Sequence, residues 1–109
     1  AEVNVRKTDY RYWQALALKK TGKSDEADSL MKALVEDGNR NIVQRIVNFY
    51  GAEGNTGETV ETINTKAYYT IGIGELGLGN LSKARECFKK SLELKPGNLW
   101  SMVMLRQLK

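Results

Sequence analysis

The sequence of 109 residues contains no histidine, one cysteine (Cys87) and one proline (Pro96). A single thiol forms no internal disulfide, and a chain without histidine lacks both a Cys–His zinc site and the usual base for a catalytic thiol. No run of about 18 apolar residues occurs, and the N-terminal sequence AEVNVRKTDY has no hydrophobic stretch. We therefore expect a non-catalytic protein with no metal, no cofactor, no membrane span or membrane partner and no signal peptide.

The chain has only a small excess of positive charge. It carries 17 Lys and Arg against 13 Asp and Glu, for a formal net charge of +4. Basic and acidic residues are interleaved, most densely over residues 83–93, which is typical of a solvated helix surface. A nucleic-acid footprint needs basic residues on one face and a recognition motif. We therefore expect no nucleic-acid partner.

A shift of 57 residues superimposes two amphipathic patterns. Both have apolar or small residues at i, i+3, i+4, i+7 and i+8, the spacing of one helix face. The two sets are Ala27, Leu30, Met31, Leu34 and Val35, and Ala84, Cys87, Phe88, Ser91 and Leu92. The same shift carries the predicted turn residue Gly22 onto Gly79. Each copy therefore predicts a helix, a short turn and a second helix.

Turn-forming residues predict where the remaining elements begin and end. The second helix of the first copy is expected to end at residues 37–39 (Asp-Gly-Asn), and that of the second copy near 95–98 (Lys-Pro-Gly-Asn). Between the copies we predict a short helix over 41–50, a loop over 51–57 with three glycines, and a helix over 60–78. No segment alternates as a strand does.

Residues 65–98 read TKAYYTIGIGELGLGNLSKARECFKKSLELKPGN. This segment resembles the tetratricopeptide repeat (TPR) family over its full 34-residue period. The family's aromatic, aliphatic, small, turn and proline positions fall on Tyr68, Ile71, Gly72, Gly79, Ala84, Phe88, Ser91 and Pro96. Glu75 stands where the family usually has an aromatic residue. The resemblance implies an all-α fold of antiparallel helix pairs, stacked as a TPR-like right-handed superhelix.

The first copy resembles the same repeat more loosely. We expect a single TPR-like domain over residues 1–109, with an irregular insert between two repeats. Its parts are a degenerate repeat over 8–39, an insert over 40–64, a repeat over 65–98 and a terminal helix over 99–109. The interrupted layout is similar to the C-terminal repeat region of large bacterial proteins in which a β-rich domain precedes such repeats.

The resemblance also implies a groove lined by the first helix of each repeat. Besides Asp9, its positions in this chain are Tyr12, Leu16, Lys19, Lys66, Tyr69, Ile73 and Leu76. Exposed tyrosine there suits peptide binding, because it offers a large contact area at low entropic cost. Burial in the core is an equal alternative for Tyr12 and Tyr69, and the favoured interpretation for Trp13 and Tyr68. The family's clamp for a peptide carboxylate is not reproduced at these positions, so we expect no receptor for chaperone tails.

Two other motifs receive structural interpretations. Residues 72–77 spell G-x-G-x-x-G, but a helix and not a strand is predicted before them, which disfavours a nucleotide site. That pattern leaves Gly74 and Gly77 without a role. Cys87 is equivalent to Leu30 in the other copy, so we expect a buried apolar residue and not a nucleophile.

The leading functional hypothesis is a protein-interaction or scaffolding module that binds a peptide or a partner domain. The alternative is a structural terminal segment of a longer repeat array, accessory to a catalytic domain elsewhere in the parent protein. The final helix is also unusually apolar for the end of a stack, which predicts self-association as a homodimer. The residues expected at that contact are Trp100, Met104, Leu105 and Leu108.

Overall fold

The computed structural model describes residues 5–42 and 60–108, which form five α-helices and no strand. The helices are α1 (Val5–Lys20), α2 (Ser24–Asn41), α3 (Val60–Gly77), α4 (Leu81–Leu94) and α5 (Leu99–Gln107). The all-α prediction is confirmed for this part of the chain. The helix predicted over 41–50 and the loop predicted over 51–57 lie outside the described residues, except that residue 41 ends α2.

Two glycines make the tight turns within the helix pairs. Gly22 and Gly79 have φ of +83° and +87°, the left-handed region that side chains with a Cβ rarely adopt. Each allows the chain to reverse within three residues, between α1 and α2 in the first pair and between α3 and α4 in the second pair. The 57-residue shift therefore relates two turns of the same backbone geometry.

The helices of each pair run antiparallel. In the second pair, the Thr65 hydroxyl donates to the Ser91 carbonyl at 2.6 Å, and further along α3 Gly72 lies against the Phe88 ring. The contact position rises along α3 while it falls along α4. In the first pair, Arg11 near the start of α1 forms an ion pair of 2.8 Å with Asp37 near the end of α2.

The second pair packs directly on the first. The hydroxyls of Thr8 and Thr70 share a hydrogen bond of 2.9 Å, and Lys19 Nζ donates to the Gly77 carbonyl at 2.8 Å. These contacts place α1 and α3 side by side and parallel, while α2 packs along another side of α3. The arrangement is that of a TPR-like helical repeat fold.

The core is built from equivalent residues of the two pairs. Ala27 and Ala84 are fully buried, as are Met31 and Phe88. Because each pair of residues is related by the same shift, the repeated stripe seen in the sequence is the stripe that the fold buries. The residues of the core cluster are Ala15, Ala27, Met31, Leu34, Tyr69, Ile73, Ala84 and Phe88.

The predicted end of α2 at residues 37–39 is wrong. The helix continues to Asn41, and Gly38 is buried inside it. A Cβ at Gly38 would collide with the Ile71 side chain and would lie 2.9 Å from the Ala67 carbonyl oxygen. Gly38 therefore serves close packing of α2 on α3, where the absence of a side chain matters more than the freedom to end a helix.

Close approach of α2 or α4 also explains the glycines of α3. A Cβ at Gly72 would lie 2.6 Å from the Phe88 ring, and one at Gly74 would lie 2.7 Å from the Met31 carbonyl oxygen. A Cβ at Gly77 would collide with the Met31 side chain. The predicted packing role of Gly72 agrees with these distances, and the two glycines without a predicted role have the same one.

A buried polar network attaches α5 to the second pair. The Asn98 side chain accepts from the Ser101 backbone N–H at 3.2 Å and so caps α5. Its amide group donates to Ser91 Oγ at 2.6 Å and to Thr65 Oγ1 at 3.0 Å. All four side chains are buried. The network therefore sets the position of α5 relative to α3 and α4.

Candidate functional site

Three aromatic side chains form a row across the first helices of the stack. Tyr12 of α1, Tyr69 of α3 and Trp100 of α5 contribute one ring each. The Tyr69 ring centroid lies 6.0 Å from that of Trp100 and 5.9 Å from that of Phe88. Because consecutive helices contribute to it, the row crosses the predicted groove and does not follow a single helix.

The hydroxyl of Tyr69 is held inside the row. It donates to Asp9 Oδ1 at 2.7 Å. Burial raises the pKa of Tyr69 well above its usual range, and the hydrogen bond and negative charge of Asp9 raise it further. Burial also raises the pKa of Tyr12. Both tyrosines are therefore neutral hydroxyls at physiological pH and cannot serve as bases there.

The structure divides the predicted groove residues into covered and accessible ones. Tyr69 and Ile73 are only 4% and 2% exposed, so their prediction as open groove surface is corrected. Tyr69 is covered because Asp9 of α1 bonds to its hydroxyl and Trp100 of α5 lies against its ring. The Lys19 ammonium is bonded to the Gly77 carbonyl. The half-buried residues that keep accessible surface are Tyr12, Leu16, Lys66 and Leu76.

An open pocket lies at the α5 end of the aromatic row. Its volume is about 370 Å³. Trp100 forms one wall, Lys66 and Lys95 contribute two cationic side chains, and buried Thr65 and Asn98 lie at its base. The remaining described lining residues are Thr62 and Gly97, and none of the lining side chains within residues 5–42 and 60–108 is acidic. The pocket can accept a group that is both partly apolar and anionic.

The sequence predicts a self-association contact for Trp100, but it does not lead to the place of this residue beside the groove. The repeat period could have indicated this place, because residue 100 follows the groove position Lys66 by one period of 34 residues. Trp100 thus lies one repeat period after Lys66, at the end of the predicted groove.

Two aromatics expected in the core lie elsewhere. Trp13 is 66% exposed, because it points away from α2 and α3 on the outward side of α1. Tyr68 is half-buried, and the Lys90 ammonium lies 5.5 Å from its ring centroid. No described helix covers the side of α1 that carries Trp13, whereas Tyr68 faces Lys90 of α4.

The apolar residues of α5 are also distributed differently from the prediction. Met104, Leu105 and Leu108 are partly buried against the core, and their role in self-association stays a prediction. Trp100 remains 42% exposed, and Leu99 is 67% exposed. Val103 lies one turn beyond Leu99 and is exposed as well.

The reactive side chains of the described residues do not form a recognisable catalytic group. Cys87 is half-buried, and its burial, together with the charge of Glu75, raises its pKa and makes the thiolate scarcer. Within residues 5–42 and 60–108, no three Cys, Asp or Glu side chains come close enough together to bind one metal ion. In the same ranges no helix has the length and hydrophobicity of a membrane span.

Comparison with known families gives one match. The model of the tetratricopeptide repeat family matches residues 65–98, which comprise α3 from Thr65 onward, α4 and the turn that leads into α5. No curated protein and no solved structure matches the chain. Tetratricopeptide repeats generally mediate protein–protein interaction and are typically non-catalytic. The helix pair that carries Tyr69 and one side of the pocket is therefore a tetratricopeptide-type repeat.

Proposed function

We propose that this chain is a non-catalytic interaction module that binds a peptide or partner domain across the first helices of the stack. The pocket beside Trp100 is the observation that supports the proposal. It combines an aromatic wall with two lysines, and its described lining residues include no carboxylate. A partially exposed tryptophan beside cationic side chains is a typical anchor for a peptide, because it offers both apolar contact and charge complementarity.

The accessible edge of the row extends the surface beyond the pocket. Tyr12 and Leu16 of α1 are half-buried, and each keeps part of its surface open. The bonds of Asp9 to Tyr69 and of Lys19 to Gly77 hold α1 against α3 without any ligand. The surface is therefore largely pre-formed, which reduces the entropic cost of binding.

The proposal predicts the kind of peptide that is bound. An aspartate, a glutamate or a chain-terminal carboxylate would lie near Lys66 and Lys95, and a neighbouring apolar side chain would pack on Trp100. The bound segment would lie across the helices, because the exposed parts belong to three different helices. Tyr69 would support the site from below without contacting the peptide.

A random-peptide display library panned against the whole chain tests this proposal. Enriched peptides should carry an acidic group beside an apolar residue. Their affinity, measured by fluorescence anisotropy, should fall at least about tenfold, or about 1.4 kcal/mol, in Trp100→Ala and in Lys66→Glu. Lys89→Glu changes an exposed lysine of α4 outside the pocket and is the matched control. Equal affinity for all variants, or no enrichment, would contradict the proposal.

The outward surface of α5 favours a second, structural candidate. Leu99 and Val103 are exposed where the stack ends among the described residues. In a longer repeat array a further helix would cover them, because each repeat buries its apolar face against its neighbour. A second copy of this chain could cover the same surface, so we also propose a homodimer formed through α5.

Sedimentation equilibrium at micromolar concentration tests the dimer. Val103→Ser should shift the chain to a monomer, because it places a hydroxyl at the centre of the contact. Leu81→Ser removes an exposed apolar residue of α4 and should leave the mass unchanged. A monomeric parent chain would contradict self-association, and a dimer that persists in Val103→Ser would place its contact elsewhere.

A further inference from the structure

The outward side of α1 carries a stripe of five exposed residues that the groove does not use. They follow one another at spacings of four and three, which aligns them along a single line of the helix. Its members are Arg6, Tyr10, Trp13, Ala17 and Lys20. Tyr10 is 64% exposed, so the two most exposed aromatics of the described residues lie at neighbouring places on this stripe. The opposite side of α1 lies in the core.

The other helix pair shows what such a position is used for. The 57-residue shift carries Tyr10 and Ala17 of the stripe onto Ala67 and Gly74 of α3. Both of these residues are buried, and both lie against α2. The α1 stripe is thus equivalent to the surface of α3 on which α2 packs.

The helix that fits the stripe differs from α2. On α3 the equivalent residues are small, so α2 approaches closely enough for Gly38 to lie against the Ala67 carbonyl. On α1 the large rings of Tyr10 and Trp13 prevent such an approach. A helix docked here must insert small or aliphatic side chains between the two rings. The Trp13 ring is already packed against Tyr12, with centroids 6.1 Å apart in an edge-to-face arrangement.

The charges of α1 define the chemistry of that helix. Asp9 is bonded to Tyr69, and Arg11 is paired with Asp37, so neither carries its charge freely to the outward side. Arg6 and Lys20 stand at the two ends of the stripe, and the stripe contains no acidic residue. Complementarity therefore requires acidic residues near both ends of the docked helix.

A second copy of the chain fits this requirement poorly. Two stripes packed antiparallel would place Arg6 beside Lys20 of the other copy, and a parallel pair would place each cation beside itself. The exposed apolar surface of α5 is accompanied by Arg106, which would face the same cations. In each arrangement like charges meet, which is unfavourable.

We propose that the stripe of Arg6, Tyr10, Trp13, Ala17 and Lys20 docks an amphipathic helix of a partner protein. The apolar side of that helix packs between the Tyr10 and Trp13 rings, and its aspartate or glutamate residues pair with Arg6 and Lys20. This surface lies on the outward side of α1, apart from the pocket at α5. The domain can therefore hold two partners at once, one across the groove and one on the outward side of α1.

A display library of amphipathic helical peptides, with the residues flanking an Ala/Leu stripe randomised, tests the proposal on the whole chain. Panning should enrich aspartate and glutamate in the flanks. The enriched peptides should lose at least about tenfold in affinity for Trp13→Ala. Affinity for Gln14→Ala, an exposed position of α1 outside the stripe, should be unchanged. Since the substituted residues are exposed, thermal melts should show that each variant remains folded.

Charge reversal gives the sharper result. Panning against the double variant Arg6→Glu and Lys20→Glu should enrich lysine and arginine in the flanks, because the ends of the stripe are then acidic. Lys66→Glu, in the pocket, should leave both selections unchanged, so the two proposed surfaces can fail separately. The docked-helix proposal would be overturned by an absence of enrichment, by flanks that ignore the charge reversal, or by self-association that Trp13→Ala abolishes.

Discussion

The first and second helix pairs share a turn geometry and a buried stripe, but they end differently. Pro96 of the second pair is equivalent to Asn39 of the first, and Lys95 is equivalent to Gly38. The helix before Pro96 ends at Leu94, whereas α2 continues through Gly38 and Asn39 to Asn41. Proline enforces an end, because it lacks an N–H and restricts the residue before it. Glycine permits a helix to end but does not enforce it. At Gly38 the close packing on α3 is compatible with a helix that continues.

The interiors of the two pairs also differ in kind. Leu34 of the first pair corresponds to Ser91 of the second, where the bonds to Thr65 and Asn98 form a polar network. The first pair is held to α3 through apolar contact and close glycines on the side of α2, and through separate hydrogen bonds of Thr8, Asp9 and Lys19 on the side of α1. The second pair is held to α5 by buried hydrogen bonds, which demand a defined geometry. The TPR family match covers the second pair and its turn, where the end of the repeat is set by proline and asparagine.

The largest effect is expected from truncation of the shared stripe. Phe88→Ala should lower the free energy of unfolding by about 3–5 kcal/mol, because it leaves a cavity between α3 and α4. Met31→Ala, at the equivalent position, should cost about 2–5 kcal/mol. Urea denaturation followed by circular dichroism measures both. A loss within about 0.5 kcal/mol, as at a surface site, would break the equivalence of the two stripes.

The polar network provides the next test. Asn98→Ala should lower the free energy of unfolding by about 2–3 kcal/mol, because it removes the cap of α5 and leaves buried hydroxyls without partners. Asn41 is its equivalent in the first pair, and among the described residues its side chain donates to the Asp37 carbonyl of the same helix. Asn41→Ala should therefore change the same quantity by less than about 0.5 kcal/mol. Equal losses for both variants would remove the distinction drawn between the two interiors.

A smaller effect is expected at a position where one pair has a glycine and the other pair has an alanine. Gly72 is equivalent to Ala15, and Phe88 is equivalent to Met31. Gly72→Ala should cost about 1–2 kcal/mol because the new Cβ meets the Phe88 ring. In a Phe88→Met background the same substitution should be neutral or stabilising by up to about 1 kcal/mol, owing to the higher helix propensity of alanine. A double-mutant cycle from denaturant melts measures the coupling, and its absence would contradict this explanation of the two pairings.

The smallest effect concerns the thiol of the second stripe. Cys87→Leu introduces the residue found at position 30 of the first pair, and it should change stability by less than about 1.5 kcal/mol. Below its raised pKa the thiol is protonated, so a thiol reagent near pH 8 should label Cys87 more slowly in the folded chain than in denaturant. Labelling that is as fast in the folded chain would mean that Cys87 is not packed as Leu30 is.

The candidate surfaces were only partly predictable from the sequence. The groove positions were inferred from the period of the repeat, and Tyr12, Leu16 and Lys66 do keep accessible surface. The burial of Tyr69 could not be predicted by this reasoning, because α3 is apolar on most of its sides and the pattern does not tell which side each neighbouring helix covers. Trp13 was assigned to the core because aromatic residues are usually buried, yet no described helix packs on its side of α1.

The all-α class, the two tight turns and the stripe repeated after 57 residues follow from the sequence alone. These features depend on local rules, since the period of a helix and the backbone freedom of glycine act within a few residues. The packing of the helices, in contrast, determines that Gly38 lies inside a helix, that Tyr69 is covered, and that Tyr10 and Trp13 are exposed. Each of these outcomes depends on which neighbouring helix lies opposite the residue, and no pattern within a single helix contains that information.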